Sequence, residues 1–492
     1  MSIVKLIYKD TPIGIEEDTV TTVTDAEPFS APDLLPYGAS TGAVPTFEHN
    51  AWGLSNDYKI KDKQPFALWT KSISNSVGVL DAPAVITLDF LQQYTSTGIT
   101  IRFSPDANEY CTKISVLWYQ GEEIKASNYY YPTSPVFILE NKVEAFDKIV
   151  IALYETNLPQ RRAKIEYIAI GIVREYERKE ITDANFINEI SLVGDTLPTN
   201  ILDASFIDNS GIEFSFQKEQ QVEAYIDNKF IDAYYVEKGE RTGENSYNIS
   251  CQNVIWLLDG IQFAGGGWLT DILIEDVLYY ILGDEFKFEL SDELKTRTVK
   301  GFIPPTTKRE AVLYVAFAVG ACVETIGNKI RLFKPSATSK NEISGKETYT
   351  GGKIDISDVV TGVSLTAYSV YRPSQIEEYP ENSIRLPNGS FFYDKKIYTA
   401  TNPNTTSNTP TNIQEFECSL ISWDDAQTRA DELLNIFMRR NTYVFSHILN
   451  GQKTGDKSSV YLPWGDMAQG HIKKMTIKVS GIIASDTEML LD

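Results

Sequence analysis

Runs in which apolar and polar residues alternate occur along most of the sequence. In residues 98–103, the side chains of Ile99, Ile101 and Phe103 fall on one face. Because successive side chains of a strand point to opposite faces, this spacing predicts a β-strand with one buried face. Comparable runs lie at residues 85–90, 114–119, 148–153 and 165–173. Strands at this spacing, separated by turns rather than long helices, predict a β-sandwich or jelly roll.

A second alternating segment follows the charged stretch at residues 174–180, and in it Val222, Ala224 and Ile226 share one face. Alternation resumes after a polar, linker-like stretch at residues 335–352. The predicted fold class is therefore mainly β with a small α/β part, in several domains. The expected domains are an N-terminal arm (1–45), a jelly-roll sandwich (46–175), a second all-β unit (176–262), a small α/β domain (263–335) and a last β unit with one long helix (336–492).

Helical spacing begins in the expected α/β domain. Apolar residues recur at three and four positions within residues 274–282, and Thr270 is expected to cap the start of this helix. A second helix is predicted from Thr307, where Glu310 completes a capping box, to Gly320.

Two further local patterns concern a turn and a third helix. Gly327 and Asn328 separate two apolar runs and predict a hairpin with a type II′ turn. Ser422, with Asp425 three residues later, is expected to cap a helix. The apolar stripe of that helix consists of Ala426, Ala430, Leu433, Leu434 and Phe437. Residues 399–412 are rich in Asn, Thr and Pro, which predicts a mobile loop.

The charge balance restricts the classes of partner. With 45 Lys and Arg against 67 Asp and Glu, the formal net charge is −22. Specific nucleic-acid binding is disfavoured, because it requires clustered basic residues. The start of the chain lacks signal-peptide features, and the longest apolar run, residues 311–323, is too short to span a bilayer. The widely spaced cysteines fit synthesis in a reducing cytoplasm.

Catalytic patterns are missing from the sequence. The three histidines, His49, His447 and His471, lie in no metal-binding or nucleophile motif. No Walker loop, dinucleotide-binding glycine motif or serine elbow occurs. We therefore expect no catalytic residue, no cofactor and no metal, and a protein that is not an enzyme. A peptidoglycan hydrolase remains an open alternative, because the distance between paired carboxylates cannot be read from sequence.

One loop carries oxygen ligands of the kind that calcium prefers. Asp106, Asn108 and Glu109 lie between two predicted strands. The favoured interpretation is a turn in which Asp and Asn bond to their own backbone.

Aromatic residues suggest a glycan-stacking surface at Trp52, Trp69 and Tyr130. Exposed rings can stack on sugars, but three consecutive tyrosines at residues 129–131 cannot all point outward from a strand. Core packing and subunit contact are the favoured alternatives.

Several motifs resemble phage tail proteins. Residues 46–54 (TFEHNAWGL) resemble the opening motif of a discoidin-like (galactose-binding-like) jelly roll inserted in tail proteins of phages of Gram-positive bacteria, and residues 86–90, 97–103 and 146–149 follow the same pattern. Residues 195–200 and 241–247 resemble the barrel domain of phage baseplate hub proteins. Residues 306–311 and 317–321 resemble the α/β domain that follows it.

This resemblance implies a tail-tip hub. The segments 176–262 and 336–492 would be tandem hub-type β-barrels, so that a homotrimeric ring presents six similar units to a sixfold tail tube. The implied partners are the tail tube protein, the distal tail ring, the tape-measure protein and spike or tip proteins. The implied location is a virion or phage tail-like particle, after synthesis in the bacterial host cytoplasm. Many relatives carry a C-terminal hydrolase extension, and we expect this chain to lack one, so that any wall-degrading activity would come from another subunit.

A host cell-surface glycan-binding adhesion protein of the tail is the alternative function. The acidic composition suits the hub, because acidic channel walls would repel the phosphates of passing DNA.

Overall fold

The computed structural model describes residues 4–12, 14–36, 48, 66–104, 107–208, 216–227, 229–349, 351–372, 381–479 and 483–492. The chain divides into two compact units. We call Ile7–Glu175 the N-terminal unit, and Met1–Leu6 with Tyr176–Asp492 the C-terminal unit. Strands predominate in both, which confirms the expectation of a mainly β, multi-sheet chain.

The first elements of the chain are strands and one short helix: β1 (Val4–Asp10), α1 (Ile15–Asp18), β2 (Thr19–Val23), β3 (Leu68–Trp69), β4 (Val79–Arg102), β5 (Cys111–Gln120), β6 (Glu123–Tyr130), β7 (Val136–Thr156), β8 (Lys164–Ile165), β9 (Tyr167–Ala169) and β10 (Ile172–Glu177). The main sheet of the N-terminal unit has the order β2-β4-β7-β5-β6, with β9 beside β4. A separate pair is formed by β3 and β8.

The period-two pattern in the sequence produces the buried face of this sheet. Leu88 on β4 lies opposite Ile149 on β7, which in turn lies opposite Trp118 on β5. All three side chains are buried, and the Trp118 ring packs 4.7 Å from the ring of Phe146. The two runs predicted as separate strands at residues 85–90 and 98–103 belong to one long strand, β4, whose register shifts between them.

Within residues 1–45, expected to form an N-terminal arm, the described residues 14–36 lie in the N-terminal unit. Thr21 on β2 lies opposite Leu88 in the main sheet, and Ile15 and Leu35 are buried in its core. The described residues between positions 15 and 36 therefore contribute to the N-terminal unit, because their apolar side chains form part of its core.

The C-terminal unit continues with these elements: β11 (Ile181–Glu189), β12 (Ile201–Ile207), β13 (Gln221–Ile226), β14 (Lys229–Arg241), β15 (Ser246–Asn253), α2 (Val254–Leu257), β16 (Gln262–Phe263), β17 (Gly266–Leu273), α3 (Ile274–Leu282), β18 (Lys287–Leu290), β19 (Thr298–Ile303), β20 (Thr306–Thr307), α4 (Lys308–Val319), β21 (Cys322–Ile326), β22 (Lys329–Phe333), β23 (Asn341–Ile343), β24 (Lys353–Ile356), β25 (Gly362–Tyr371), β26 (Ser383–Leu386), β27 (Gly389–Thr401), β28 (Ile413–Glu417), α5 (Ala426–Phe437), β29 (Asn441–Ile448), β30 (Lys457–Tyr461), β31 (Met467–Val479) and β32 (Ile483–Leu491).

One large sheet joins two distant segments of the C-terminal unit. Within residues 181–491 its order is β13-β14-β15-β12-β11-β31-β32-β29-β24, with β30 also on β31 and β23 on β30. The two segments meet where β11 pairs with β31, with Phe186 opposite Ile477. Strands from 181–253 and from 441–491 thus form one continuous hydrogen-bonded surface.

The α/β part shares its core with a later segment. Its sheet β18-β22-β21 lies with α3 and α4, and a four-stranded sheet, β26-β27-β25-β28, lies with α5. Ala311 and Val315 of α4 belong to the same buried cluster as Leu365 of β25 and Leu433 of α5. The expected small domain at residues 263–335 therefore has no separate core.

The sequence signals for α4 and for the hairpin are confirmed. Thr307 accepts a hydrogen bond from the backbone amide of Glu310, and Gly320 ends the helix in the left-handed conformation. Gly327 has a φ of 64°, which the first position of a type II′ turn requires, and β21 and β22 pair on either side of it.

Two predicted caps are wrong. Thr270 lies within β17, and α3 begins after Leu273. The helix α5 begins at Ala426, after Asp425, and the Ser422 hydroxyl donates to the Asp425 carboxylate instead of accepting from the helix backbone. In both cases the helix begins four residues after the expected cap.

Residues 399–412, expected to form a mobile loop, include the end of β27. The Asn402 side chain donates to Val360 O at 2.8 Å, and that of Asn412 donates to Val359 O at 3.0 Å. These bonds fasten both ends of the loop to the segment before β25.

Candidate functional site

A buried ion-pair cluster in the N-terminal unit brings together residues that are far apart in the sequence. Its members are Glu27, Glu48, Glu109, Arg161, Arg162 and Lys164. The Lys164 ammonium group lies 2.9 Å from Glu109 Oε2 and 3.1 Å from Glu48 Oε2. The side chains of Lys164 and Glu48 are only 3% and 1% exposed. Burial alone would lower the pKa of Lys164, but the two carboxylates outweigh burial and raise it.

The two arginines complete the cluster. Arg161 Nε donates to Glu109 Oε1 at 2.8 Å, and the backbone N–H of Arg162 donates to Glu48 Oε1 at 2.6 Å. Arg162 Nη1 pairs with Glu27 Oε1 at 2.5 Å. Among the described residues, three cations thus face three carboxylates, so these charges balance within the cluster.

The ring of Trp69 packs against this cluster. The Lys164 ammonium group lies 4.9 Å from the centre of its ring, and the ring of Phe66 packs edge-on at 5.3 Å. Trp69 is 1% exposed. A stacked sugar needs an exposed ring face, so the prediction of a glycan platform at Trp69 is corrected by its burial. Trp52, the second ring of that prediction, lies outside the described residues.

The loop considered for calcium binding contributes Glu109 to the same cluster. Glu109 is already neutralised by Arg161 and Lys164. Asn108 adopts a φ of 53°, and its backbone oxygen accepts a hydrogen bond from the Asn157 side chain at 2.8 Å. Asp106 lies outside the described residues. Within the part of the chain that the structure describes, no group of three or more His, Cys, Asp or Glu side chains could hold a metal ion.

The cavity beside the cluster is small. It measures about 10 Å³, which is room for about one water molecule. It is lined by Glu109, Tyr110, Thr156, Asn157, Arg161, Arg162, Ala163 and Lys164. A sugar ring does not fit in this cavity. The ion pairs of the cluster instead link β3, β8 and the loop that carries Glu109.

The three consecutive tyrosines divide as the alternation of β6 requires. Tyr130 packs against the core, 6.1 Å from the ring of Phe137, and is only partly exposed. Tyr129 and Tyr131 are exposed. The Tyr129 ring lies 5.7 Å from that of Tyr154. The predicted stacking residue Tyr130 is therefore the inward member of the three.

The histidines of the C-terminal unit make structural hydrogen bonds. His447 Nε2 lies 3.0 Å from Thr487 Oγ1, and His471 Nε2 lies 2.9 Å from Ser336 O. Burial lowers the pKa of both imidazoles. His49 lies outside the described residues.

The cations of the cluster were missed by the motif search. Arg161, Arg162 and Lys164 stand within four positions of a chain whose net charge is −22. This basic run between predicted strands of an acidic protein was the sequence feature that could have indicated an ion-pair cluster. Its carboxylate partners could not be found this way, because they come from positions up to 135 residues away.

No helix in the described ranges has both the length and the apolar character needed to cross a membrane. All four cysteine thiols are free and buried. Burial raises the pKa of Cys111 and Cys418 to about 12, so neither is suited to act as a nucleophile.

No family model and no curated protein matches the sequence. Among solved structures, the chain is similar to the tail protein from Neisseria meningitidis MC58, at 10% identity and a TM-score of 0.47, over 65% of this chain and 94% of that one. It is also similar to the prophage tail protein gp18 from Listeria monocytogenes, at 12% identity and a TM-score of 0.44, over 64% and 91%. A third is the 43 kDa tail protein of prophage MuSo2 from Shewanella oneidensis, at 8% identity and a TM-score of 0.44, over 64% and 94%. All three neighbours are tail proteins, and TM-scores below 0.5 do not establish a shared fold.

Proposed function

We propose that the chain is a structural, non-enzymatic hub of a phage-type tail tip or baseplate. Three copies would form a ring that joins the tail tube to the tip or spike. The observation that carries this proposal is the continuous sheet in which β11 pairs with β31. Five residue pairs, from Asn185 opposite Lys478 to Glu189 opposite Lys474, make this junction.

The junction bears on symmetry. It holds the β segments 181–253 and 441–491 side by side in one chain. If each segment serves as one wall element, three chains supply six such elements, and a sixfold tube can stack on them. The motifs at residues 195–200, 241–247, 306–311 and 317–321, and their order along the chain, support the same hub interpretation.

An exposed hairpin end gives the hub a surface for a neighbour. Tyr461 and Met467 face each other at the end of the β30–β31 pair, and Trp464 lies in the turn between them. Their side chains are 37%, 51% and 57% exposed, respectively. Trp, Tyr and Met are enriched at the centres of protein interfaces. We assign this end to a contact with the tail tube, distal tail ring, tape-measure or spike protein.

The N-terminal unit would be the discoidin-like jelly roll of a Gram-positive phage particle, with a structural role. Its charged cluster is satisfied internally, and Trp69 is buried beneath it. No observation favours the glycan-binding alternative. The net charge of −22 would keep the ring channel from binding passing DNA.

The test is the mass and symmetry of the purified full chain. Mass photometry should give three times the 55.3 kDa chain mass, and negative-stain averages should show a threefold ring with an open centre. Trp464→Ser should leave the ring intact but weaken its binding to the tail tube or tip proteins of the same particle. Monomers at every concentration would overturn the ring. Saturable binding of the full chain in a glycan screen would then favour the adhesion alternative.

A further inference from the structure

A buried carboxylate connects the large sheet of the C-terminal unit to the β21–β22 hairpin. Asp232 lies on β14 and is 4% exposed. Its Oδ1 accepts hydrogen bonds from the backbone amides of Gly327 at 2.8 Å and Ala233 at 3.0 Å. Its Oδ2 accepts from the hydroxyl of Thr325. Because Thr325 and Gly327 belong to the hairpin, one side chain holds two elements that are more than ninety positions apart.

The surroundings of Asp232 supply hydrogen-bond donors but no positive charge. Among the described residues, no Lys or Arg forms an ion pair with it. Tyr234 and Tyr235 lie beside it on β14. Glu223 on β13 acts electrostatically on Tyr235, and Cys251 on β15 acts on Tyr234. Burial therefore raises the pKa of Asp232 to about 7, although its hydrogen bonds act in the opposite direction.

Three other residues belong to this site. The Asn200 side chain also hydrogen-bonds to Asp232 and lowers its pKa. Asn253 Nδ2 lies 3.3 Å from Thr325 Oγ1, while Asn253 Oδ1 is buried without a partner. On the hairpin itself, Glu324 is paired with Arg331 at 2.6 Å. Burial raises the pKa of Glu324 as well, so this carboxyl serves as an internal comparison.

We propose that Asp232 is a pH-sensitive latch, which holds the β21–β22 hairpin against β14 most firmly when its carboxyl group is protonated. If the hairpin lifts away, water reaches the carboxyl group and its pKa returns to an ordinary value of about 3.9. The closed state then binds the proton more tightly than the open state. Stability is therefore full below the ordinary pKa and is lost as pH rises towards the raised value, where the closed carboxylate must remain charged without a cation.

Hydrogen exchange of the full chain tests the latch. Peptides that cover Cys322–Phe333 are followed from pH 5 to pH 8, with rates corrected for intrinsic exchange. Between pH 5 and pH 7, the protection of wild-type hairpin amides should fall by up to about tenfold per pH unit, and the fall should level off above pH 7. Asp232→Asn should remove most of this dependence, and the matched control Glu324→Gln, which removes only the contribution of the carboxyl paired with Arg331, should retain most of it. Equal dependence in wild type and Asp232→Asn would overturn the proposal.

A second variant keeps the test decisive if Asp232→Asn does not fold. Thr325→Val removes one donor that lowers the pKa of Asp232 but retains the carboxyl group. The pH window of hairpin opening should then move upward. An unchanged window would also overturn the latch.

Discussion

The ammonium group of Lys164 lies 4.9 Å from the centre of the Trp69 ring. This contact joins β8 to β3, and the same ammonium group neutralises Glu48 and Glu109 from above the ring. Trp69 was considered for sugar stacking and the loop with Glu109 for calcium binding. In the structure both belong to one buried ion-pair cluster.

Replacing the cation should destabilise the N-terminal unit. Lys164→Met leaves the buried Glu48 without its ammonium partner and removes one of the two partners of Glu109. Breaking a buried ion pair in this way costs about 3–5 kcal/mol. Hydrogen exchange of peptides from the N-terminal unit, measured against denaturant concentration, gives the free energy.

Lys113→Met is the matched control for that change. Lys113 also lies near aromatic rings, 5.8 Å from the centre of Tyr129, and pairs with Glu155 at 3.8 Å. Its side chain is about one-third exposed, and surface pairs contribute about 0–1 kcal/mol. Equal losses in the two variants would contradict a special role for the buried cluster.

Arg429 is expected to be the most sensitive charged residue of α5. Its Nε donates to Phe317 O at 2.9 Å and its Nη2 to Val193 O at 2.7 Å. Arg429→Met should lower the free energy of unfolding of the C-terminal unit by about 3 kcal/mol, because two buried carbonyls lose a charged donor. Arg429→Lys should restore only part of this, since one ammonium group cannot reproduce the planar fork. Arg440→Met is the control, because the partly exposed Arg440 makes only one such bond, from its Nε to Ser357 O at 2.9 Å. Hydrogen exchange measured against denaturant concentration gives the free energy for all three variants.

The two threonines proposed as helix caps should behave differently. Thr307→Ala removes the acceptor of the Glu310 amide and should lower stability by about 1 kcal/mol. Thr270 lies exposed on β17, so Thr270→Ala should change stability by less than about 0.5 kcal/mol. Thermal melting of both variants under the same conditions checks the difference. A larger loss at Thr270 would contradict the observed start of α3.

His447 should make the C-terminal unit sensitive to acid. Burial lowers its pKa, so the folded state binds a proton less readily than the unfolded state. The stability it contributes is present above the ordinary value of about 6.5 and is lost as pH falls towards the lowered pKa.

His447→Gln tests this contribution. The loss of stability caused by the variant should be smaller at pH 5.5 than at pH 7.5, by up to about 1.4 kcal/mol. Comparing variant and wild type at each pH cancels the contributions of His471 and Asp232, which titrate in both proteins. A loss that is independent of pH would rule out the effect.

Local sequence patterns predicted much of the secondary structure. The alternation at Ile99, Ile101 and Phe103 predicted a strand whose inward side chains are all buried. The Thr307 cap of α4 and the Gly327 turn were also correct, because each depends on contacts within a few residues. Thr270 and Ser422 were wrong, since the same residue types are common in strands and turns.

The pairing of distant strands could not be predicted from the sequence. Nothing near β11 indicates that its partner is β31, almost three hundred positions later. The charged cluster has the same origin, because Glu27, Glu48 and Glu109 reach the basic run only after the chain has folded back on itself.

The sequence by itself determined the class of this protein: mainly β, acidic and without a recognisable catalytic motif, because periodicity, charge and motif spacing are local or additive properties. Only the tertiary structure decided what the singled-out residues do. Trp69, a candidate for sugar stacking, is buried against an ion-pair cluster. Asp232 is buried beside the β21–β22 hairpin, where none of the described Lys or Arg residues forms an ion pair with it. Both outcomes depend on desolvation, and desolvation is set by which segments pack over a side chain.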